Sequence, residues 1–415
     1  MIQTAKKSHS NDRPRLLVLA STFPRWSGDP EPVFILELSR RLSESFEVTV
    51  LCPHAKGANP REMVGWVRVV RYRYAPAFLE TLVNDGGIMT NLKRSPWKYL
   101  LVPSFILSQF WHVWRMARRG EFDLVHAHWL IPQGLVAALQ PRKRRAPFVV
   151  TSHGVDLHSL RGRLFLWLKR MVVRNATSMT VVSSAMVDLA KEVGAVKDQL
   201  TVIPMGVDVS ERFSPDPSVE QSDHEILFVG RLVEKKGVAH LVRAMPAILR
   251  VRPDARLTIA GFGPDKEALE RLVADLGLES SVEFLGALPQ AELPALYRRA
   301  AVFVAPFIKA TSGDQEGLPV ALMEATACGC PVLAGDVEGL HDLLGEHAAE
   351  VVFDSRDEEG LATRVVELLN NLPAARARAL KLGEVVRKRF DWDEVARDYA
   401  DVLMAAYDQA RQVQR

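Results

Sequence analysis

Apolar positions along this chain follow two alternating rhythms. Short runs rich in Val, Ile and Leu recur at residues 16–20, 47–52, 67–72, 124–127, 148–151, 179–182 and 201–203, and read as strands. Between them apolar residues return at helical spacing, over 33–43, 105–118, 163–174 and 185–193. The same alternation then starts again. Strands are expected at 226–229, 256–260, 282–285, 302–305, 332–334 and 351–353, and helices at 238–250, 266–276, 291–299, 318–327 and 358–369. Polar, proline-bearing residues 207–225 divide the two series and read as a linker, with a boundary near residue 210. Strand–helix alternation calls for a parallel sheet covered on both faces. The chain is therefore expected to be α/β, with doubly wound Rossmann-like domains at 1–210 and 211–390. These would face each other across a cleft at the carboxyl ends of their strands. Residues 391–415 carry one long helical pattern around Trp392, Val395, Tyr399, Leu403 and Tyr407, expected to cross back onto the first domain.

Composition narrows the class. A chain of 415 residues exceeds one compact core, and 48% apolar with 25% charged residues describes an ordinary globular protein. Three cysteines, Cys52, Cys328 and Cys330, are too few and too odd in number for a disulfide framework, which favours a reducing compartment. The first fifteen residues lack the apolar stretch of a signal peptide, and no uncharged run reaches membrane-spanning length. A cytoplasmic protein is expected. Net charge is +3 but uneven: residues 1–207 hold 29 Lys/Arg against 15 Asp/Glu, and the remainder 24 against 35. A basic first half points to an anionic partner.

The chemistry-bearing residues sit in loops that should follow strands. In QEGLPVALMEATACGCP, Glu316 precedes a Gly-Leu-Pro breaker and Glu324 falls inside an apolar helix beginning at about Leu318 or Pro319. Glu316 is then close to the positive end of a helix, where anions bind, and Glu324 is a carboxylate in costly surroundings. The pair suits a ligand with a phosphate for the helix tip and hydroxyls for the carboxylates. In VGRLVEKKG, Arg231 and Lys236 lie in a glycine-bounded loop and suit a diphosphate; the plain alternative is a solvated turn, which fits Lys235. In TSHGVD, His153 stands at a strand end, where a site residue and a structural histidine are equally good readings. In STFPRWSGDP, Gly28 would let backbone approach a phosphate, although Ser-Gly-Asp-Pro also makes a good surface turn. His126 and His128 in HAHW share one face of a strand; without acidic or cysteine companions they read as packing or acceptor contacts rather than metal ligands. Asp314 with Glu316 forms a conceivable magnesium pair. Arg231 and Lys236 can neutralise a phosphate without a metal, so no metal or cofactor is expected.

Together these motifs resemble glycosyltransferase family 4, retaining enzymes of GT-B fold that use nucleotide-sugar donors. The marks are E-x7-E at Glu316 and Glu324, the VGRL-x-x-x-KG loop, VIPMGVD at 202–208 and SHGVD at 152–156. TFPRWSGDP and HAHWLIPQG resemble the bacterial polysaccharide and glycolipid-assembly branch. The resemblance implies that Glu324 binds the donor ribose and that Arg231 and Lys236 hold the diphosphate. It places Glu316 on the transferred sugar, Gly28 near the phosphate and His153 at the reaction centre beside the acceptor. Many members have glycine where this chain has Pro319, which has no N–H; the amides of Leu318 and Val320 would serve instead.

The implied activity is retaining transfer of a hexose to a lipid-linked, phosphate-bearing or glycan acceptor, in envelope polysaccharide or glycolipid synthesis. Arg142–Arg145, Arg161, Arg163, Lys169, Arg170 and Arg174, with WHVWRMARR at 111–119, are either a solvated basic face or a surface for anionic lipid on the inner face of the plasma membrane. No nucleic-acid module is recognisable. Residues 75–96, apolar and glycine-bearing, are expected to be irregular and to form an acceptor-side lid. Two competing functions are a nucleotide-sugar epimerase of related fold, which should lack E-x7-E, and an inactive GT-B scaffold, against which the intact Arg231, Lys236, Glu316 and Glu324 set argues.

Overall fold

The computed structural model describes residues 13–414, apart from 30, 85–86, 142–145, 159, 161, 312, 314 and 338. Arg142–Arg145, Arg161 and Asp314 thus lie outside the described residues. The first sheet contains β1 (Arg15–Leu19), β2 (Glu47–Pro53), β3 (Arg61–Val64), β4 (Val67–Tyr72), β5 (Leu124–His128), β6 (Phe148–Ser152), β7 (Ser178–Val181) and β8 (Leu200–Val202). Their spatial order is β3-β4-β2-β1-β5-β6-β7-β8. The second sheet contains β9 (Glu225–Val229), β10 (Arg256–Ala260), β11 (Val282–Gly286), β12 (Val302–Ala305), β13 (Val332–Gly335) and β14 (Val352–Phe353), in the order β11-β10-β9-β12-β13-β14. Among the described residues, every strand pairing but one is parallel.

The exception, antiparallel β3–β4, has no strand signal of its own: Arg61–Val64 alternates exposed and half-exposed side chains at the sheet edge. The central strands are almost wholly buried because helices cover both faces. In the first lobe these are α1 (Phe34–Leu42), α2 (Ile88–Arg94), α3 (Leu101–Arg118), α4 (Leu135–Ala138), α5 (Val155–His158), α6 (Arg163–Asn175) and α7 (Val187–Glu192). The second lobe has α8 (Val238–Val251), α9 (Lys266–Asp275), α10 (Leu293–Arg299), α11 (Val320–Ala327), α12 (Leu340–Leu344), α13 (Ala348–Val351), α14 (Glu358–Asn370) and α15 (Leu372–Phe390), followed by α16 (Trp392–Gln414).

The stretch expected to be irregular, 75–96, contains α2 and is anchored. Leu82, Val83 and Leu92 are buried, the Tyr74 hydroxyl accepts from the Leu82 amide at 3.0 Å, and buried Glu80 meets His54 at 2.5 Å. α16 returns to the first lobe as expected. Trp392, Val395, Tyr399 and Leu403 are buried in the core that contains β1, β5 and β6. The crossing is fixed at its start: the Val207 amide donates to Phe390 O at 2.7 Å and the Trp392 amide to Val207 O at 3.2 Å. Gly206 lies under the Trp392 ring, where a Cβ would sit 2.3 Å from it.

In both sheets the order reverses at one place, between β1 and β5 and between β9 and β12. In doubly wound sheets, ligands bind beyond the carboxyl ends of the strands at this reversal. The carboxyl end of β5 carries His128, and the loops leaving β1, β9 and β12 carry Gly28, Arg231 with Lys236, and Glu316.

Candidate functional site

α11 is apolar nearly all round, as a helix buried on every side must be. Pro319 caps it in an extended conformation, so the helix starts at Val320, one or two residues beyond the expected start at Leu318 or Pro319. Its far end closes as a Schellman motif: Cys330 N bonds Ala325 O and Gly329 N bonds Thr326 O, both at 3.0 Å, with Gly329 left-handed at φ 77°. The amides of Leu322 and Met323 both reach Pro319 O. Those of Val320 and Ala321 are the first of the helix and have no acceptor within it. A positive helix tip is thus set beside Glu316, against the buried side chain of Leu318.

Lys236 Nζ lies 2.8 Å from Glu316 Oε2, both side chains 14% exposed, and the same ammonium sits 4.9 Å above the Phe307 ring. Lys235 Nζ donates to Gln315 O at 3.4 Å. Lys235 was expected to be a solvated charge; it is instead half-buried against the Glu316 loop. Burial alone would raise the Glu316 carboxyl, but Lys236, Lys235 and Arg231 outweigh it and hold the group below its ordinary value. Two backbone contacts lock this geometry. Gly237 is left-handed at φ 67°, and a Cβ there would lie 1.7 Å from Pro306 O; one on Gly339 would lie 1.4 Å from Gly317 O. The β9 and β12 loops are therefore packed backbone to backbone.

Glu324 lies in the second turn of α11 and is 5% exposed. Tyr297 donates its hydroxyl to Oε2 at 2.9 Å, and Gln290 Nε2 reaches Oε1 at 3.4 Å. Burial raises this carboxyl to about 7 against those bonds and nearby Arg212. Two carboxylates eight residues apart are thus tuned in opposite directions. Arg212 also ties the lobes, with Glu37 of α1 at 3.2 Å and Gln290 at 3.4 Å. Ser184 beyond β7 donates its amide to Asp342 of α12 at 2.5 Å. Tyr297 and Gln290 escaped the sequence reading: on and before an amphipathic helix they look like core and surface.

On the first lobe, His153 follows β6, and its Nε2 lies 3.0 Å from His128 Nδ1 at the end of β5. Phe34 and Trp129 flank it, with centroids at 5.0 and 5.1 Å. His126 is beside His128, at 4.3 Å between rings, and bonds Thr151 Oγ1 at 2.7 Å. Asp156 is buried and used structurally, accepting from Leu130 N and Ser152 Oγ. Gly28 is exposed in a turn after β1 at φ 78°, which Arg25 closes on buried Asp29 at 2.7 Å. That turn accounts for the glycine without a ligand. Among the described residues, the group with metal-ligand spacing is Asp223, His224 and Asp254, where Arg252 already pairs Asp254 at 3.0 Å.

Residues 32–211 match the family model Glycosyltransferase Family 4, and residues 210–386 match Glycosyl transferases group 1. A GDP-mannose-dependent alpha-(1-6)-phosphatidylinositol monomannoside mannosyltransferase of Mycobacterium tuberculosis is 32% identical over 306 residues, covering 70% of this chain and 78% of that protein. The chain belongs to glycosyltransferase family 4. A putative colanic acid glycosyltransferase of Escherichia coli is 30% identical, over 63% of this chain and 65% of its own length. Sucrose-phosphate synthase from Thermosynechococcus elongatus has the same fold, at TM-score 0.78 and 20% identity, covering 96% of this chain and all of its own. Anabaena HepE, solved with UDP and glucose, superposes at TM-score 0.69 with 18% identity, over 94% and 100%. This family 4 enzyme is a hexosyltransferase with the GT-B fold. The epimerase and inactive-scaffold readings are not favoured, since the relatives are transferases.

Proposed function

We propose that this enzyme transfers a sugar, with retention, from a nucleoside diphosphate sugar to a lipid-linked or otherwise phosphate-bearing acceptor in cell-envelope synthesis. The observation that carries the donor half is the Lys236–Glu316 contact at 2.8 Å beside the tip of α11. Lys236, Arg231 and the Leu318 and Val320 amides would stabilise the charge that develops on the departing diphosphate. Gly28 would approach it from the first lobe. Glu316 would hold the transferred sugar, Glu324 the ribose, and His153 would face the reaction centre. The anomeric C–O bond to phosphate breaks with its electron pair going to the nucleoside diphosphate. The acceptor oxygen bonds to the anomeric carbon on the same face, and its proton leaves with the diphosphate. Two cations and a helix tip suffice for the phosphates, so chelation of divalent ions is expected to leave turnover unchanged.

Relatives support the donor class: one is named GDP-mannose-dependent, and HepE was solved with UDP. In a thermal-shift panel, the correct donor should stabilise the enzyme by about 2.7 kcal/mol at a hundred times its Kd. No stabilisation by any nucleotide sugar would remove the proposal.

The acceptor half draws on the first lobe. Trp97, Tyr99, Leu100, Leu107 and Trp111 are 49–81% exposed along the start of α3 and the turn before it, near Arg115, Arg118 and Arg119. On α6, exposed Leu164 and Trp167 adjoin a groove of about 450 Å³ lined by Arg163, Arg170 and Arg174. No described helix is long and apolar enough to cross a membrane. Exposed aromatics beside arginines suit peripheral binding at the inner face of the plasma membrane, at about 1 kcal/mol per basic side chain. The enzyme is expected to sediment with vesicles containing phosphatidylglycerol and to be released by salt. Equal binding to purely zwitterionic vesicles, or none to either, would contradict this.

A further inference from the structure

We propose that His128 is a positioning residue that donates its Nδ1–H to His153 Nε2, and so fixes His153 as the tautomer that presents Nδ1–H to the reaction centre. The inference rests on the donor and acceptor roles proposed above only for its catalytic consequence. Its structural half stands on the pair alone.

The two ring nitrogens are 3.0 Å apart, the ring planes differ by 18° with centroids 5.2 Å apart, so the rings meet edge to edge and nearly coplanar, and His128 is 1% exposed. One nitrogen must carry the proton and the other must accept it. The far nitrogen of His128 decides which. Its Nε2 is buried and meets no partner among the described residues. If His128 were protonated there, a buried N–H would be orphaned, which native structures rarely tolerate; an unused acceptor is the milder defect. The proton therefore belongs on His128 Nδ1, and His153 Nε2 accepts it. The neutral His153 ring then has its own proton on Nδ1. Burial keeps both rings uncharged, with His153 down to about 3 and His128 well below its ordinary value.

The chemical consequence is directional. His153 is half-buried, so one edge of its ring is accessible. With Nε2 committed, that edge offers a hydrogen-bond donor, suited to a sugar or phosphate oxygen. It has no lone pair with which to take a proton from the incoming hydroxyl, so His153 orients and does not act as a base. Register explains why these histidines meet: His128 pairs with Thr151 across β5 and β6, which brings the residue two beyond Thr151 beside its ring.

The test is the tautomer itself. Enzyme labelled with 15N-histidine, with His153 assigned by its loss in His153→Gln, should show a protonated Nδ1 and a bare Nε2 at neutral pH. His128→Phe keeps a ring at that position and removes the donor; the His153 signals should shift toward a tautomer mixture. Donor hydrolysis, followed as nucleoside diphosphate release from GDP-mannose or UDP-glucose, should lose about tenfold in kcat with KM unchanged. His128→Asn places an amide nitrogen where Nδ1 stood and should recover most of that loss. A wild-type His153 protonated on Nε2 overturns the proposal, as do His153 signals indifferent to His128→Phe or equal kcat losses in the Phe and Asn variants. Failure to bind UDP or GDP with the expected tautomer intact would instead count against the donor-site reading alone.

Discussion

Replacing Glu324 with glutamine should erase a pH dependence that the wild-type enzyme displays twice. The first display is stability. The Glu324 carboxyl moves from an ordinary 4.5 to about 7 on folding, because burial penalises its charged form. Between those values the folded protein holds a proton that the unfolded chain has lost, so stability falls as pH rises. At about 1.4 kcal/mol per unit, wild type should lose about 3 kcal/mol between pH 4.5 and 7 relative to Glu324→Gln, with no further divergence above. Paired melts across that range would measure it. The second display is affinity. Ribose hydroxyls donate to a carboxylate, so nucleotide binding should require the ionised form and tighten as pH approaches 7. Binding near pH 6 should release a proton, read by calorimetry in buffers of different ionisation enthalpy. Glu324→Ala should raise donor KM by about ten- to a hundredfold, the loss of a charge-assisted hydrogen bond. The Tyr297 hydroxyl, itself pushed to stay protonated by burial beside Glu324, remains a donor throughout.

Lys236→Ala is expected to act on turnover instead. It removes one of two cations assigned to the departing diphosphate, and it strips Glu316 of its 2.8 Å partner. The carboxyl would then rise from below its ordinary value, since burial still opposes its charge and only Lys235 and Arg231 remain. Steady-state kinetics should show kcat down by about ten- to over a hundredfold, with a smaller change in donor KM. Arg231→Ala should follow the same pattern. Donor kinetics unchanged in these two variants and in Glu324→Ala would dissolve the site assignment.

The loops assigned this chemistry were legible in the sequence because each follows a strand and begins with residues that cannot continue one. Gly230, Gly237 and the Gly-Leu-Pro at 317–319 mark backbone that must turn or approach other backbone. The return of α16 was legible from the spacing of Trp392, Val395, Tyr399 and Leu403. What was not legible depends on partners distant in sequence. β3 exists only as a hairpin neighbour of β4, and its polar alternation resembles a loop. α15 has the small residues Ala375, Ala379 and Gly383 on its buried face, so its apolar signal is weak. Tyr297 reaches Glu324 of the candidate site only because α10 packs beside α11. The His128–His153 contact needs the β5–β6 register, which no local pattern specifies. The lid expected at 75–96 is anchored by buried Leu82, Val83 and Leu92, and its mixed composition concealed α2.

One crystal structure with UDP or GDP, whichever stabilises the enzyme, tests the central claim most directly. The diphosphate should lie against Lys236 and Arg231 at the amino end of α11, with the ribose hydroxyls on Glu324 and the Tyr297 bond retained. A nucleotide bound elsewhere, or bound with these side chains turned away from it, would contradict the account.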